Sequence, residues 1–151
     1  MNSVDTIALR RLRGVGQRLT FGRQLLLSTL AEAAKPMTIP MILQHAPSLA
    51  QSSVYRNLTV LEQAGLVARI ALGDDHAHFE LSEQVTGTHH HHQVCTECGA
   101  VDVVTLPNPV ERKLDVALAS AAQATSFRLT GHRLNLIGFC AACDTAAATN
   151  K

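Results

Sequence analysis

The sequence predicts an α+β protein with two domains, residues 1–84 and residues 85–151. Apolar residues at helical spacing prevail in the first part of the chain, and an alternating pattern typical of a strand hairpin follows. Beyond residue 85 the order becomes strand, strand, helix and strand, in a segment rich in histidine and cysteine. A chain of 151 residues is long enough for two small domains.

The first domain is predicted to contain four short helices. Residues 5–13 predict a basic helix that ends at a Gly-Val-Gly sequence. Thr20 is the predicted N-cap of a second helix, and Thr38 is the predicted N-cap of a third. For the fourth helix the predicted N-cap is Ser52 or Ser53.

The fourth helix is followed by a predicted hairpin. Gly65 ends the helix in a left-handed conformation, and "LVARIAL" and "HAHFELS" then predict two strands joined by the turn "GDD". Short helices followed by a hairpin form a winged helix, whose last helix enters the major groove of DNA. Side chains able to bind phosphates or base edges occupy the first turn of that helix: Ser52, Ser53, Tyr55 and Arg56. An ordinary surface turn is the alternative.

Charge is divided unevenly along the chain. Residues 1–72 carry eight Arg and Lys against three carboxylates, a net charge of +5, and residues 73–151 carry five against nine, a net charge of −4. A basic half suits a polyanion, and an acidic half rich in histidine suits cations, although chance asymmetry is the alternative. The sequence has neither a secretory signal nor a long apolar run, so we expect a cytoplasmic protein that does not associate with membranes.

The second domain contains two Cys-x-x-Cys pairs, Cys95 with Cys98 and Cys140 with Cys143. Four thiolates bind a tetrahedral soft cation, usually zinc. The 41 residues between Cys98 and Cys140 match a strand, a helix and a returning strand, which could bring the two pairs together. A redox pair and four inert buried cysteines are the alternatives, although the thioredoxin-like context of a redox pair is missing.

Four consecutive histidines, residues 89–92, precede the first cysteine pair. On an extended strand, His89 and His91 share one face while His90 and His92 share the other, so the run predicts parts of two metal sites. A solvated strand edge is the alternative. Candidates to complete the two sites are His132, on the predicted strand leading to Cys140, and Glu111, Glu80, His78, His76 and Asp102. Such ligands suit several metals, so composition leaves the metal open.

The motifs "SSVYRNLTVLEQAGLV", "HFEL", "HHHHQVCTECGAV", "VE", "LTGH" and "GFCAAC" resemble, in order and rough spacing, the ferric uptake regulator (Fur) family. "GQRLTFGR" is similar to the start of the family's second helix. The resemblance extends from about Arg13 to Cys143. It implies a homodimeric, metal-dependent winged-helix repressor, in a family whose branches sense iron, zinc, manganese, nickel, peroxide or haem.

The resemblance also implies roles for particular residues. It implies a structural zinc site formed by Cys95, Cys98, Cys140 and Cys143. It implies a metal site in the dimerisation domain formed by His89, His91, Glu111 and His132. It implies an interdomain sensing site formed by Glu80, His90 and His92, with His78 or Asp102 as the candidate to complete it. It implies DNA contacts from Arg18, Tyr55 and Arg56.

The function expected from these features is metal-activated repression of genes for metal-ion homeostasis. The partners are a second copy of the chain and a palindromic double-stranded DNA operator. Structural Zn and a regulatory divalent metal are expected, the latter being Fe(II) or Zn(II), with Mn(II) and Ni(II) as further candidates. The alternatives from other classes are a zinc hydrolase with Glu111 as general base, a thiol redox protein and a metal-storage protein.

Overall fold

The computed structural model describes residues 2–71 and 76–144. The chain divides into two compact units, Met1–Thr88 and His89–Lys151, called unit 1 and unit 2 below. Each unit is described by itself. The functional division at residue 84 stays a prediction.

Unit 1 is a winged helix, as predicted. Its helices and strands in chain order are α1 (Ser3–Gly14), α2 (Phe21–Ala33), α3 (Ile39–His45), α4 (Gln51–Gln63), β1 (Val67–Ile70), β2 (His78–Leu81) and α5 (Glu83–Thr86). The strands β1 and β2 are antiparallel, with Val67 opposite Leu81. The predicted turn "GDD", residues 73–75, lies outside the described residues. The short helix α5 was not predicted.

Local capping signals account for several helix ends. The Thr20 side chain accepts a hydrogen bond from the backbone N–H of Arg23, and Thr38 accepts one from Met41, so both predicted caps are confirmed. Gly65 follows α4 with φ of +69°, the left-handed stop that was predicted.

The predicted cap of α4 is wrong. The helix begins at Gln51, one residue before Ser52, and its N-cap is Ala50, which makes no side-chain cap hydrogen bond. Ala50 has an extended backbone, and its carbonyl already accepts the first intrahelical hydrogen bond, from the N–H of Val54 at 3.0 Å. Ser52 and Ser53 therefore lie inside the first turn, where they cannot act as caps.

The interior of unit 1 is aliphatic. Leu26, Ile42 and Leu61 are fully buried at 0% exposure, and they belong to one continuous core built from α1 to α4 and the hairpin. The alternation predicted for β2 is absent, since all four of its residues are buried. Phe79 and Leu81 belong to the aliphatic core, and His78 and Glu80 on the other face are also buried. Phe79 exchanges two backbone hydrogen bonds with Met37, at 2.8 and 2.9 Å, so residue 37 pairs with the second edge of β2.

Unit 2 has mixed secondary structure, which confirms the predicted α+β class. Its elements are β3 (His91–Cys95), β4 (Val101–Val104), α6 (Asn108–Ala124) and β5 (Asn135–Gly138). The sheet order is β4-β3-β5, with β3 antiparallel to β4 and parallel to β5. A parallel pair needs a long crossover, and α6 with the residues after it supplies that crossover.

The predicted strand leading to Cys140, for which the alternating segment "SFRLTGHRLNLIGFC" spans residues 126–140, is wrong in extent. Only residues 135–138 pair with β3, and residues 127–134 have no regular structure. Ser126 has φ of +55°, so the chain turns directly after α6 and must run along the unit before it reaches the sheet. His132 therefore lies in an irregular segment and not on a strand.

The outer surfaces of unit 2 are unusually apolar. No described residue of α6 is buried, and all four residues of β5 are exposed. Large apolar side chains stand in solvent on this unit: Val110, Val116, Phe127, Leu129, Leu134, Leu136, Ile137 and Phe139. Within residues 2–71 and 76–144, no helix combines the length and apolarity needed to cross a bilayer.

Candidate metal centres and nucleic-acid interface

The parallel pairing of β3 and β5 brings the two cysteine pairs together. Cys95 ends β3 opposite Gly138 of β5, and the Gly138 carbonyl accepts a hydrogen bond from the N–H of Thr96 at 2.9 Å. The Sγ atoms of Cys98 and Cys140 are 3.8 Å apart, and all four sulfurs lie within 4.8 Å of one another. A tetrahedral zinc ion with Zn–S bonds of about 2.3 Å separates its sulfurs by about 3.8 Å. The four thiols therefore fit such an ion.

Backbone donors prepare this cluster for a cation. The backbone N–H groups of Cys98 and Cys140 lower the pKa of the Cys95 thiol to about 6, because they stabilise the thiolate. Hydrogen bonds to the side chains of Cys140 and Cys95 raise the pKa of Cys143. A thiolate at Cys95 suits this cluster to a soft cation, because cysteine binds metal ions in its deprotonated form.

A second cluster joins β3 to α6. Glu111 lies in the first turn of α6, and its Oε1 is 2.5 Å from Nε2 of His91, the fully buried first residue of β3. The Nε2 atoms of His89 and His132 are 3.4 Å apart. One ligand atom from each of the four residues lies within 4.8 Å of the others, so the structure brings together all four residues that the resemblance implied.

The polar atoms of this cluster are arranged to suit a bound cation. Oε2 of Glu111 is buried without a hydrogen-bond partner in the structure, 3.5 Å from Nε2 of His132 and 3.8 Å from Nε2 of His89. A buried carboxylate oxygen without a donor is costly. A cation bound among three imidazoles and one carboxylate would satisfy it, with the bond lengths of about 2.0–2.2 Å usual for zinc. The residues present fit a metal ion.

The other two histidines of the run lie on the opposite side of the chain. The rings of His90 and His92 are 5.0 Å apart, and those of His89 and His91 are 4.7 Å apart. The alternation expected for residues 89–92 therefore holds, although β3 begins only at His91. In the register of β3 and β4, Val103 lies opposite His92.

The other residues predicted for an interdomain site lie on β2 and β4. His78 and Glu80 are both buried on β2 of unit 1, and Nδ1 of His78 is 3.0 Å from the carbonyl oxygen of His76. Asp102 of β4 is paired with Gln93, so its side chain shares the face of Gln93 and not that of His92. Oδ1 of Asp102 accepts a hydrogen bond from its own neighbour, the N–H of Val103, at 2.8 Å. Asp102 therefore points away from the sheet face that carries His92.

The residues predicted to contact DNA lie at the surface of unit 1. Ser52, Tyr55 and Arg56 are exposed in the first turns of α4, and Ser53 is half-buried. Arg18 is exposed in the segment between α1 and α2. These side chains are free of the aliphatic core, as a recognition surface requires.

Arg23 organises this surface and was not predicted. Its guanidinium donates hydrogen bonds to the carbonyl oxygen of Arg18 at 2.5 Å, to Gln17 Oε1 at 3.0 Å and to Asn57 Oδ1 at 3.2 Å. It thereby holds the segment that carries Arg18 against α4. No local sequence signal distinguishes Arg23 from the other arginines, because its acceptors are brought near only by the packing of α2 on α4.

Asp115 beside the second cluster was also missed. Its Oδ1 is 3.3 Å from Nδ1 of His132. Asp115 follows Glu111 by four residues on α6, and this spacing places both carboxylates on one helix face. That spacing was a usable signal.

Comparison with known proteins agrees with this architecture. The family model described as "Ferric uptake regulator family" matches residues 14–137. A "Ferric uptake regulation protein" of Legionella pneumophila is 30% identical over 140 residues, covering 89% of this chain and 97% of its own length. The "Peroxide operon regulator" of Bacillus subtilis is 31% identical over 141 residues, covering 91% of each chain.

Solved structures give the same result. The ferric uptake regulator of Vibrio cholerae superposes with a TM-score of 0.68 at 26% identity, covering 87% of this chain and 98% of its own. A Pseudomonas aeruginosa ferric uptake regulator, solved with manganese, superposes with a TM-score of 0.65 at 27% identity, covering 86% of this chain and 95% of its own.

The fold and the site define a class: winged-helix proteins whose second, α/β unit carries clusters of cation-binding side chains. Within that class, the chain belongs to the ferric uptake regulator family.

Proposed function

We propose that the protein is a cytoplasmic, metal-activated transcriptional repressor that binds a palindromic DNA operator as a homodimer. The observation that carries this proposal is the combination, in a member of this family, of an exposed Tyr55–Arg56 surface on α4 with two clusters of cation ligands in unit 2. The net charge of +5 on residues 1–72, from eight basic and three acidic residues, supports a polyanionic partner for unit 1.

The apolar surface of unit 2 supports the homodimer. Val116 is 71% exposed and Ile137 is 67% exposed, on α6 and β5 respectively. Exposed apolar surface of this kind marks an interaction site. Two copies would give the two-fold symmetry that a palindromic operator matches, because each recognition helix then reads one half-site.

The four cysteines are assigned to structural zinc and the histidine-rich clusters to a regulatory metal. Imidazole and carboxylate together suit Fe(II) and Zn(II), and Mn(II) and Ni(II) are the further candidates. The cluster of His89, His91, Glu111 and His132 supplies four protein ligands. A catalytic zinc keeps an open position for substrate or water, so a closed set of four ligands supports a regulator over a hydrolase.

The sensing step is assigned to an interdomain site of Glu80, His90 and His92, with His78 as the favoured fourth ligand. His90 and His92 face one way from the chain, and His78 and Glu80 share one face of β2 by parity. Ligands drawn from both units make metal affinity depend on the arrangement of the units. To move a repressor from 1:99 to 99:1 in favour of the DNA-binding arrangement, the metal must prefer that arrangement by about 5.5 kcal/mol.

A metal titration of the purified protein tests the proposal. Protein stripped of regulatory metal is titrated with Fe(II), Mn(II), Zn(II) and Ni(II), and its affinity for a candidate palindromic duplex is measured at fixed salt. We expect at least one metal to raise the affinity by a large factor while the dimer mass stays constant. Equal affinity with and without every metal, across a set of palindromes, contradicts metal activation.

Arg56→Ala tests the DNA surface separately from the metal sites. We expect operator affinity to fall by about 1–3 kcal/mol if Arg56 reads a base, or by less and with a shallower salt dependence if it binds a phosphate. Metal stoichiometry stays unchanged, because Arg56 lies on α4 and not in a ligand cluster. Wild-type affinity at matched salt would remove α4 from the proposed interface.

The histidine run provides a second test by pairwise substitution. His90→Ala with His92→Ala is expected to uncouple operator binding from metal while the dimer persists. His89→Ala with His91→Ala is expected to lower dimer stability instead. Each double variant should lose about one metal per subunit, and the two lost metals should differ. If both variants lose the same metal with the same defect, residues 89–92 serve a single site.

A further inference from the structure

Asp115 contacts His132, one of the four residues of the proposed His/Glu metal site in unit 2. Glu111 lies on the Nε2 side of the His132 ring, at 3.5 Å, and Asp115 lies on the Nδ1 side, at 3.3 Å. Glu111 and Asp115 are four residues apart on α6 and therefore lie on the same helix face. Their carboxylates lie near the two different ring nitrogens of His132.

The two ring nitrogens of His132 must have different roles if the residue binds a metal ion. A histidine that binds a metal through Nε2 carries its proton on Nδ1, and that N–H needs an acceptor. Asp115 Oδ1 is the acceptor available at Nδ1 of His132. His91 offers a contrast within the same cluster, since its Nδ1 is buried without a hydrogen-bond partner in the structure.

His132 also needs an external restraint more than His91 does. His91 is fixed by its place at the start of β3, whereas residues 127–134 have no regular structure. A ligand on an irregular segment must be oriented by its side-chain contacts, because no ladder of backbone hydrogen bonds holds it. The carboxylate of Asp115 comes from the rigid helix α6 and supplies such a contact.

We propose that Asp115 is a positioning residue for the His/Glu metal site. Its carboxylate accepts the Nδ1–H of His132, holds the ring in place and leaves the Nε2 lone pair directed at the cation position beside Glu111. This inference rests on the proposed role of His89, His91, Glu111 and His132 as metal ligands. The Asp115 side chain is 63% exposed, so we expect its effect near the lower end of the 10–100-fold range usual for such partners.

The experiment uses the full chain with Zn(II) as the probe, after the cysteine site has been filled. The reference chain carries His90→Ala with His92→Ala, which remove the proposed interdomain site. A competing chelator gives the affinity of the next Zn(II) for this reference chain and for Asp115→Ala, His132→Ala and the double variant made in it. We expect Asp115→Ala to weaken binding about tenfold. In the His132→Ala background, Asp115→Ala should cause no further loss, because the contact that it removes is already absent.

Two comparisons exclude a general effect of charge. Glu32→Ala removes a carboxylate exposed on α2 of unit 1 and should leave the Zn(II) affinity unchanged. Asp115→Glu, which keeps the charge on the same helix face, should recover part of the loss of Zn(II) affinity.

NMR gives a separate readout of the hydrogen bond between His132 and Asp115. In the Zn(II)-loaded wild type, NMR should detect a His132 Nδ1–H that exchanges slowly with water, and Asp115→Ala should make that exchange faster.

The outcomes separate this inference from the proposed function. If the reference chain binds Zn(II) at the site and Asp115→Ala binds it equally well, Asp115 does not position His132 and the metal site stands. An equal loss from Asp115→Ala in both backgrounds shows that charge alone acts, which also overturns the inference. If the reference chain binds no Zn(II) beyond the cysteine site, the proposed His/Glu site falls and the role of Asp115 falls with it.

Discussion

The two units differ in what fills their interiors. In unit 1, Leu26, Leu58 and Leu61 are among many aliphatic side chains with exposures of 1% or less. In unit 2, no described residue of α6 or β5 is buried, and the fully enclosed side chains include His91. Unit 1 has a large aliphatic core, whereas unit 2 encloses candidate metal ligands and exposes most of its large apolar side chains.

This difference indicates two sources of stability. Each Å² of apolar surface buried contributes about 25 cal/mol, so unit 1 can be stabilised by its own packing. The described residues of α6 and β5 bury no side chain within unit 2, so we expect the proposed cations and the proposed homodimer contact to contribute much of its stability. Four substitutions test this contrast, taken from the largest expected effect to the smallest.

Cys95→Ser should cause the largest loss of folding stability, and this loss should be limited to unit 2. Binding of structural zinc contributes on the order of 10 kcal/mol of folding free energy, and most of this is lost with one thiolate. We expect unit 2 to unfold or the dimer to dissociate while unit 1 keeps its fold. Hydrogen exchange resolved by segment, together with native mass, measures both effects.

A chelator added to the wild type is the matched control for Cys95→Ser. It removes the cation without changing the chain, and it should reproduce the loss of protection in unit 2. A Cys95→Ser variant that remains a stable dimer with unchanged metal content would show that unit 2 does not depend on this site.

Ile42→Ala tests the apolar core of unit 1. Ile42 is 0% exposed on α3, and truncating a buried isoleucine to alanine costs about 2–5 kcal/mol. We expect denaturant unfolding of unit 1 to shift accordingly, with metal stoichiometry unchanged. A loss below about 1 kcal/mol would contradict the view that unit 1 is stabilised by its packing.

Ile137→Ala makes the same chemical change at an exposed site of unit 2. Ile137 is 67% exposed on β5, so we expect the folding free energy of the metal-loaded monomer to change by less than about 0.5 kcal/mol. The dimer dissociation constant should rise about tenfold, which corresponds to about 1.4 kcal/mol. Sedimentation at a series of concentrations measures this constant. An unchanged constant would place the dimer interface elsewhere.

Thr20→Ala should have the smallest effect, about 1 kcal/mol of unit 1 stability, because the cap hydrogen bond to Arg23 is lost. Ser52→Ala is its control, since Ser52 lies inside the first turn of α4 and Ala50 is the N-cap there. We expect a change within about 0.5 kcal/mol for the control, measured by the same denaturant titration. Equal losses in the two variants would mean that the Thr20 hydrogen bond contributes nothing.

Features encoded by neighbouring residues could be predicted from the sequence. Thr20, Thr38 and Gly65 act on backbone groups within a few residues of themselves, so their roles follow from local chemistry. The proximity of the two Cys-x-x-Cys pairs could also be predicted from the sequence. The 41-residue interval between Cys98 and Cys140 has the length of a crossover that returns to the same sheet.

Features set by distant residues could not be predicted. The second edge of β2 is paired with Met37, which lies 42 residues before its partner Phe79, and no sequence periodicity predicts such a contact. Residues 127–134 alternate like a strand, but β3 offers pairing positions only to residues 135–138. In the candidate site, Asp115 could have been found by its spacing from Glu111, whereas Arg23 depended on how α2 packs on α4.

Hydrogen bonds within the protein that involve two arginines affect the expected salt dependence of DNA binding. Arg11 donates to the carbonyl of Gly65 and to Gln84, both at 2.8 Å, and Arg23 donates to three oxygens of its own unit. Counterions leave DNA in proportion to the phosphates neutralised, with a slope of about 0.9 per contact in a double-logarithmic salt plot. Guanidinium groups that remain bonded to the protein raise the local potential without adding phosphate contacts. In the proposed complex, the salt plot would therefore report fewer contacts per subunit than the eight basic residues in positions 1–72 suggest.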